Sequence, residues 1–221
     1  RDCLLSRGLG DVYKRQKRYV PSYRERDVLT GVAISLFLLF VVSGASFWLL
    51  RLMSARLGAA AALVPFALFV WYGAYLPGIG SDFEVTQTIA WVPALNVDLA
   101  FRLDGFSLLF TLLVTGIGTL VVLYANAYFA DAPAPRRAGF IALILMFMGA
   151  MLGTVWSDNL IGLYVFWELT SLFSYFIIGF DSSKKDARKA ALQSLIVTAG
   201  GGLALFGGIL LIGLELDTWS L

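Results

Sequence analysis

The sequence predicts an all-α, polytopic membrane protein with about six transmembrane helices and a small β-hairpin between the second and third. Three observations predict it. Of 221 residues, 59% are hydrophobic and only 14% are charged, against about 25% charged in an average soluble domain. The charges are gathered into short clusters separated by long apolar runs, the pattern of a chain whose solvent is largely lipid. Several of those runs come close to the ~20 apolar residues that a spanning helix needs.

The expected spans are Val28–Leu50, Leu57–Leu76, Phe106–Tyr128, Gly139–Trp156, Leu160–Phe180 and Ala190–Leu214. Any one of them alone reads equally well as a buried helix of a large soluble protein. Together, in 221 residues, they leave too little polar surface to solvate a globule. Residues 1–27 are then a non-membrane tail and residues 28–221 a transmembrane helical domain. Residues 1–16, RDCLLSRGLGDVYKRQ, show no sustained period, no span, and neither the h-region nor the cleavage site of a signal peptide. They read as translated adapter sequence rather than native protein and carry no weight in the functional reading.

The connections give a direction. The first holds Arg51 and Arg56, the third Arg136 and Arg137, and the fifth Lys184, Lys185, Arg188 and Lys189. The second holds Asp82, Glu84, Asp98 and Asp104 beside Arg102, and the fourth is a WSDN turn with Asp158. Positive charge alternates with the spans, which places connections one, three and five in the cytoplasm. Within the long second connection, TQTIAWVPALNVDLAFRLDG has short alternating apolar stretches around Pro93 and Asn96, the mark of a hairpin on the outer surface. Asp104 stands where a side chain would cap the third helix, and Ser157, Asp158 and Asn159 do so for the fifth. Gly149 and Gly153 form a GxxxG in the fourth span and Gly200, Gly201, Gly202, Gly207 and Gly208 crowd the sixth. Small residues of this kind permit close helix approach, and Gly149, Gly153, Gly201 and Gly202 are read as packing positions.

Glu168 is the informative residue. It lies near the middle of the fifth span, in NLIGLYVFWELTSLFSYFIIGF, and no other acid, Lys or Arg sits as deep. An ionised side chain at mid-bilayer costs about 2.5–3.5 kcal/mol on the insertion scale. The positions three and four residues away hold Tyr164, Val165, Ser171 and Leu172, so nothing on its own helix offsets that cost. Glu168 is therefore protonated, or paired with a group on another helix, or wetted. A carboxyl disfavoured in its charged form by burial and favoured by a movable cation can load and release a proton, which is what a relay requires. The competing reading is a protonated Glu acting as hydrogen-bonding glue between helices. Thr170, Ser171 and Ser174 extend a candidate polar path, although such hydroxyls commonly bond their own backbone.

Other chemistries find no support. The chain has no histidine and one cysteine, Cys3, so no disulfide, Cys-based metal cluster or His-based metal site is expected. No cofactor fingerprint is present. A Ser nucleophile would lack a base. The net charge of +2, without a basic stripe, argues against nucleic acid.

Three segments carry a family resemblance: FRLDGFSLLF (Phe101–Phe110), LMFMGAMLGTVWSDNLIGLYVFWELTSLFSYFIIGF (Leu145–Phe180) and ARKAALQSLIVTAGGGLALFGGILLIG (Ala187–Gly213). They resemble the A subunit of Mrp-type multisubunit sodium/proton antiporters, a family similar to the antiporter-like subunits of respiratory complex I and of membrane-bound hydrogenases. The resemblance covers roughly Leu57 to Leu221. It implies inverted helical repeats with broken helices at mid-membrane, and a pairing of Glu168 with a Lys beyond Leu221. The chain is accordingly expected to be an N-terminal fragment of a longer subunit. The function implied is exchange of Na+ or another monovalent cation for H+ across a cell membrane, in the bacterial case the inner membrane, with other membrane subunits and the lipid bilayer as partners. Two alternatives stay open: a redox-driven proton pump using the same Glu168, and a purely structural membrane anchor.

Overall fold

The computed structural model describes the backbone of residues 23–30 and, with side chains, residues 31–52, 58–78, 83–92, 97–216 and 218–221. The tail expected over residues 1–27 lies outside the described residues as far as residue 22. The elements are α1 (Tyr23–Leu50), a 3-10 turn (Ala59–Ala62) leading into α2 (Leu63–Gly73), β1 (Glu84–Val92), β2 (Val97–Asp104), α3 (Gly105–Tyr128), α4 (Ala134–Trp156), α5 (Leu160–Ile178) and α6 (Lys185–Leu216). The helices run up and down, joined by short connections except where the hairpin intervenes.

Five of them are long and apolar enough to cross a membrane: the Gly31–Leu50 part of α1, and α3 to α6. The second expected span is a shorter apolar helix over Ala59–Gly73. Pro65 explains the break. It stands in the first turn of α2, where its missing N–H is one of the donors a helix start leaves unpaired, so the residues before it wind as a 3-10 turn. α4 and α6 each start five residues before the expected spans, at Ala134 and Lys185. In α4, Pro135 fits the first turn for the same reason. In α6 the basic residues Lys185, Arg188 and Lys189 are helical. That helix of 32 residues is about 48 Å long, so it extends past a ~30 Å hydrocarbon layer into water at its charged start.

The hairpin is present. β1 and β2 pair antiparallel from Glu84↔Asp104 to Val92↔Val97, with a bulge between Ala90 and Val92. Its turn, with Pro93 and Asn96, lies outside the described residues. Leu103, Val85 and Phe101 face inward and join Leu36, Leu39, Tyr72, Leu152 and Trp156 in the core at the hairpin end of the bundle. A second core at the opposite end gathers Leu50, Val122, Ile141, Leu145 and Met148. α4 is the hub: it packs against α1, α3 and α5, and α5 against α6. Half of the apolar window of α4 is buried, against 6% for α5 and 11% for α6. The α5–α6 pair therefore lies at the edge of the bundle with its apolar surface turned outward.

Candidate functional site

α5 is set in place by a collar of polar contacts at the hairpin end. The Asp104 side chain accepts from Ser107 N at 2.8 Å and the Ser107 hydroxyl accepts from Asp104 N at 2.7 Å, a capping box that starts α3. Asn159 caps α5, its Oδ1 accepting from Ile161 N at 2.9 Å and Gly162 N at 3.2 Å. Of the three cap candidates in that turn, Asn159 therefore fills the role. Ser157 instead closes α4, its hydroxyl donating to Gly153 O at 2.7 Å. Asp158 ties the turn to the hairpin: its N–H donates to Ala100 O at 2.8 Å, and Arg102 Nε lies 3.4 Å from its Oδ1 and 3.9 Å from Asp104 Oδ2. Desolvation, with Glu84 and Asp104 nearby, raises the Asp158 carboxyl above its ordinary range, and Arg102 opposes the rise. Asp104 also suffers desolvation, but its bonds to Ser107 and the Arg102 charge outweigh it and hold its carboxyl below the ordinary range.

Two turns into α5 stands Glu168, half-buried against α6. Its carboxyl lies on the backbone of Gly202: a Cβ built there would meet Glu168 Oε1 at 1.8 Å, Cδ at 2.9 Å and Oε2 at 3.5 Å. Oε1 is buried and accepts no hydrogen bond among the described residues. One turn toward the hairpin end, Tyr164 stacks on Phe206, ring centroids 4.6 Å apart at 22°. A groove of about 750 Å3 between α5 and α6 is walled by Leu163, Trp167, Val197 and Leu205, and on the side of Glu168 away from the hairpin by the hydroxyls of Thr170, Ser171, Ser174 and Thr198. Thr170 donates to Trp167 O at 2.7 Å, Ser171 to the same carbonyl at 3.4 Å, and Thr198 to Ser194 O at 2.9 Å. Their hydroxyl protons are turned onto their own helices, leaving lone pairs for the groove. Polar side chains thus lie below Glu168 and an aromatic pair above it.

The four glycines read as packing positions differ in what they touch. At Gly153 an added Cβ would lie 2.2 Å from the Phe166 ring, and at Gly149 it would lie 3.2 Å from the Phe40 ring. At Gly201 nothing stands within 4 Å, nor at Gly200, Gly207 or Gly208. Only tertiary structure separates Gly202 from its neighbours, and no signal in the run of glycines pointed to it. The Tyr164–Phe206 pair was likewise beyond sequence reasoning, although each ring lies four residues from Glu168 or Gly202, the helical repeat that puts them one turn away. Among the described residues, no group of three His, Cys, Asp or Glu side chains comes together to hold a metal ion.

Two family profiles match. Residues 90–140 match the family described as the N-terminus of chain 5 of NADH-ubiquinone oxidoreductase (complex I), and residues 157–219 match the NADH:quinone oxidoreductase/Mrp antiporter transmembrane family. β2, α3 and the α5–α6 pair fall within these matches. Fold and profiles define an antiporter-like, multi-pass membrane subunit. Within that class the chain is a homologue of the A subunit of Na+/H+ antiporters. It is 45% identical over 158 residues to the A1 subunit from Staphylococcus haemolyticus, covering 72% of this chain and 19% of that protein. It is 43% identical over 159 residues to the A subunit from Alkalihalophilus pseudofirmus, covering 72% of this chain and 20% of that protein. The chain thus spans about a fifth of the length of these curated relatives. Its backbone superposes on a chain of the Mrp complex from Dietzia sp. DQ12-45-1b with a TM-score of 0.75 at 28% identity, covering 86% of this chain and 20% of that one. The fold is shared, at TM-score 0.68 and 17% identity, with a chain of the membrane-bound sulfane sulfur reductase, an archaeal respiratory membrane complex; there the overlap is 84% of this chain and 28% of that one. The two curated relatives are named as subunits of Na+/H+ antiporters.

Proposed function

We propose that this chain supplies part of the ion path of a monovalent cation/proton antiporter, with Glu168 as a relay carboxylate for H+ or Na+. The observation that carries the reading is the carboxyl itself. It sits mid-helix in an apolar span, with a buried oxygen that no described residue satisfies, and it lies against Gly202, which borders a largely apolar groove that carries four hydroxyls. An intramembrane carboxyl with no local partner is costly and points to function. In this reading water in the groove delivers a proton to the Glu168 carboxylate from the end opposite the hairpin. The neutral acid later releases it as a cation approaches, and the Tyr164–Phe206 stack closes the direct route to the hairpin end. The resemblance to the Mrp A subunit supports a Lys as that cation, in sequence other than these 221 residues. It likewise supports a multi-pass setting in the bacterial plasma membrane among other membrane subunits, with residues 28–221 as membrane domain, connections one, three and five on the cytoplasmic side, and Na+ and H+ as the exchanged ions.

The test uses the complex that contains this chain, in sealed inverted vesicles under an imposed pH gradient. Sodium added to wild type is expected to dissipate the gradient, and Glu168→Gln is expected not to respond. Acidification on a redox substrate, with no response to sodium, would replace antiport by a redox-driven pump. A Glu168→Gln variant that exchanges like wild type would make Glu168 packing glue.

A further inference from the structure

Among the glycines of α6, one alone faces a carboxyl. A Cβ at residue 202 would stand 1.8 Å from Glu168 Oε1 and 2.9 Å from Cδ, whereas a Cβ at 200, 201, 207 or 208 would meet nothing within 4 Å. Gly202 is also buried, while Gly200 and Gly201 are exposed. Any side chain at 202 would therefore occupy the place of the carboxyl, and the smallest of them would already overlap it. We propose that Gly202 is a positioning residue for Glu168: its missing side chain is the notch that lets the carboxyl lie against α6, at the edge of the α5–α6 groove. This rests on the relay reading of Glu168 given above.

The physical reasoning is steric first. The α6 backbone is helical on both sides of 202, so it cannot retreat locally without breaking intrahelical hydrogen bonds, which have no replacement in lipid. The flexible partner is the Glu side chain. With alanine at 202 it must swing about its χ angles, taking the carboxyl away from α6. It then points into the groove, where Thr170 and Thr198 offer lone pairs and water, or out to lipid. Either way the acid leaves the position from which it hands a proton on. Gly201 supplies the matched control, because it lies next to 202 on the same helix, lines the same groove and has open space at its Cβ. Shortening the acid supplies the complement. Aspartate withdraws the carboxyl by one methylene from the atoms that a Cβ at 202 would strike.

The experiment is a double-mutant cycle on the intact complex in vesicles, reading sodium-driven proton exchange and, in parallel, the thermal midpoint of the solubilised complex. Gly202→Ala is expected to lower exchange about tenfold or more, the scale of loss that misplacing a reacting group causes, while Gly201→Ala stays near wild type. In a Glu168→Asp background, Gly202→Ala is expected to cost several-fold less, in exchange or, where aspartate alone is inactive or Gly202→Ala assembles poorly, in thermal midpoint. Additive costs in both readouts, or equal effects of alanine at 201 and 202, would overturn the inference. Glu168→Gln tells the two readings apart. An active Glu168→Gln overturns the relay reading, whereas an inactive Glu168→Gln beside an unaffected Gly202→Ala overturns the positioning role alone.

Discussion

Trp156 donates its indole N–H to Thr111 Oγ1 at 2.7 Å, and both side chains are fully buried where α4 meets α3. The Thr111 hydroxyl proton is already committed to Ser107 O at 2.7 Å, so Thr111 serves the indole purely as an acceptor. Thr111→Val keeps the shape and deletes the acceptor, leaving a buried N–H without a partner. The expected cost is about 1–3 kcal/mol, read as a lowered thermal midpoint of the solubilised complex. Thr111→Ser, which keeps the oxygen, should lose clearly less, and Trp156→Phe should cost less in the valine background than in wild type. Equal midpoints for the valine and serine variants would show that the bond carries no stability.

Gly153 and Phe166 form the tightest ring contact between α4 and α5. With 2.2 Å between a built Cβ and the Phe166 Cδ1, against 3.2 Å for Gly149 and Phe40, the two glycines of the GxxxG are predicted to differ. Gly153→Ala should cost about 1–3 kcal/mol as an overpacked site. Gly149→Ala should cost less, because its neighbour has to give by only a few tenths of an ångström. Phe166→Leu should relieve part of the Gly153→Ala cost. Thermal midpoints of the four variants check the order, and equal losses at 149 and 153 would refute it.

Most of the fold was legible because lipid imposes a length and a composition on each span, and both are written locally. The hairpin was legible from alternation, and the Asp104 cap from its place before an apolar run. The start of α6 was not, because Lys185 and Arg188 read as loop by charge, although a helix can continue into water at its basic start. The second helix was expected over Leu57–Leu76 and is present but shorter, Ala59–Gly73, because apolar content was counted and the local effect of Pro65 was not. In the site, Glu168 declares itself in one dimension, as a charge in the wrong solvent. Gly202 does not: 34 positions separate it from Glu168, and the notch exists only once α5 lies on α6. Arg137 was likewise read only as one of the positive charges of the third connection, yet it is 3% exposed while its neighbour Arg136 reaches outward to Asp181.

That outward contact has a pH dependence. Asp181 Oδ1 lies 2.9 Å from Arg136 Nη2, and its Oδ2 lies 2.9 Å from Lys184 Nζ. The Lys184 ammonium, the Ser183 hydroxyl and the Arg136 guanidinium hold its carboxyl down at about 2 against an ordinary 3.8. Lys184 is raised above 10.5, chiefly by its bond to Asp181. A depressed acid stabilises above its unfolded value and loses that contribution as pH falls through the folded one; a raised amine stabilises below its unfolded value and loses it as pH rises. The clasp between the start of α4 and the α5–α6 connection is therefore complete from about pH 4 to pH 10 and fails toward pH 2. Amide exchange over residues 181–189, compared with Asp181→Asn at each pH, should be a few-fold slower in wild type inside that window. The difference should vanish near pH 2 and shrink in ~1 M salt, because the groups are exposed and screened. A difference that persists at pH 2 would assign the protection to something other than this carboxylate.

The last prediction concerns the aromatic pair above the carboxyl. Tyr164 and Phe206 stack at 4.6 Å one helical turn from Glu168 and Gly202, on the hairpin side, while the hydroxyls of Ser171 and Ser174 lie on the other. If the stack closes the hairpin side, removing one ring opens a wettable gap beside the relay. Phe206→Ala should then let protons leak without sodium: vesicles should lose an imposed pH gradient faster than wild type in sodium-free buffer. Phe206→Leu, which keeps most of the volume, should hold the gradient. The leak should also need the acid, so Glu168→Gln in the Phe206→Ala background should restore the seal. A leak that survives Glu168→Gln would come from general loosening of the α5–α6 pair, and no leak in Phe206→Ala would mean that the hairpin side is closed by some other group. The pair is half-buried, so the ring's loss should cost less than the ~3–5 kcal/mol of a fully buried Phe→Ala, and the complex should remain assembled enough for the flux to be read.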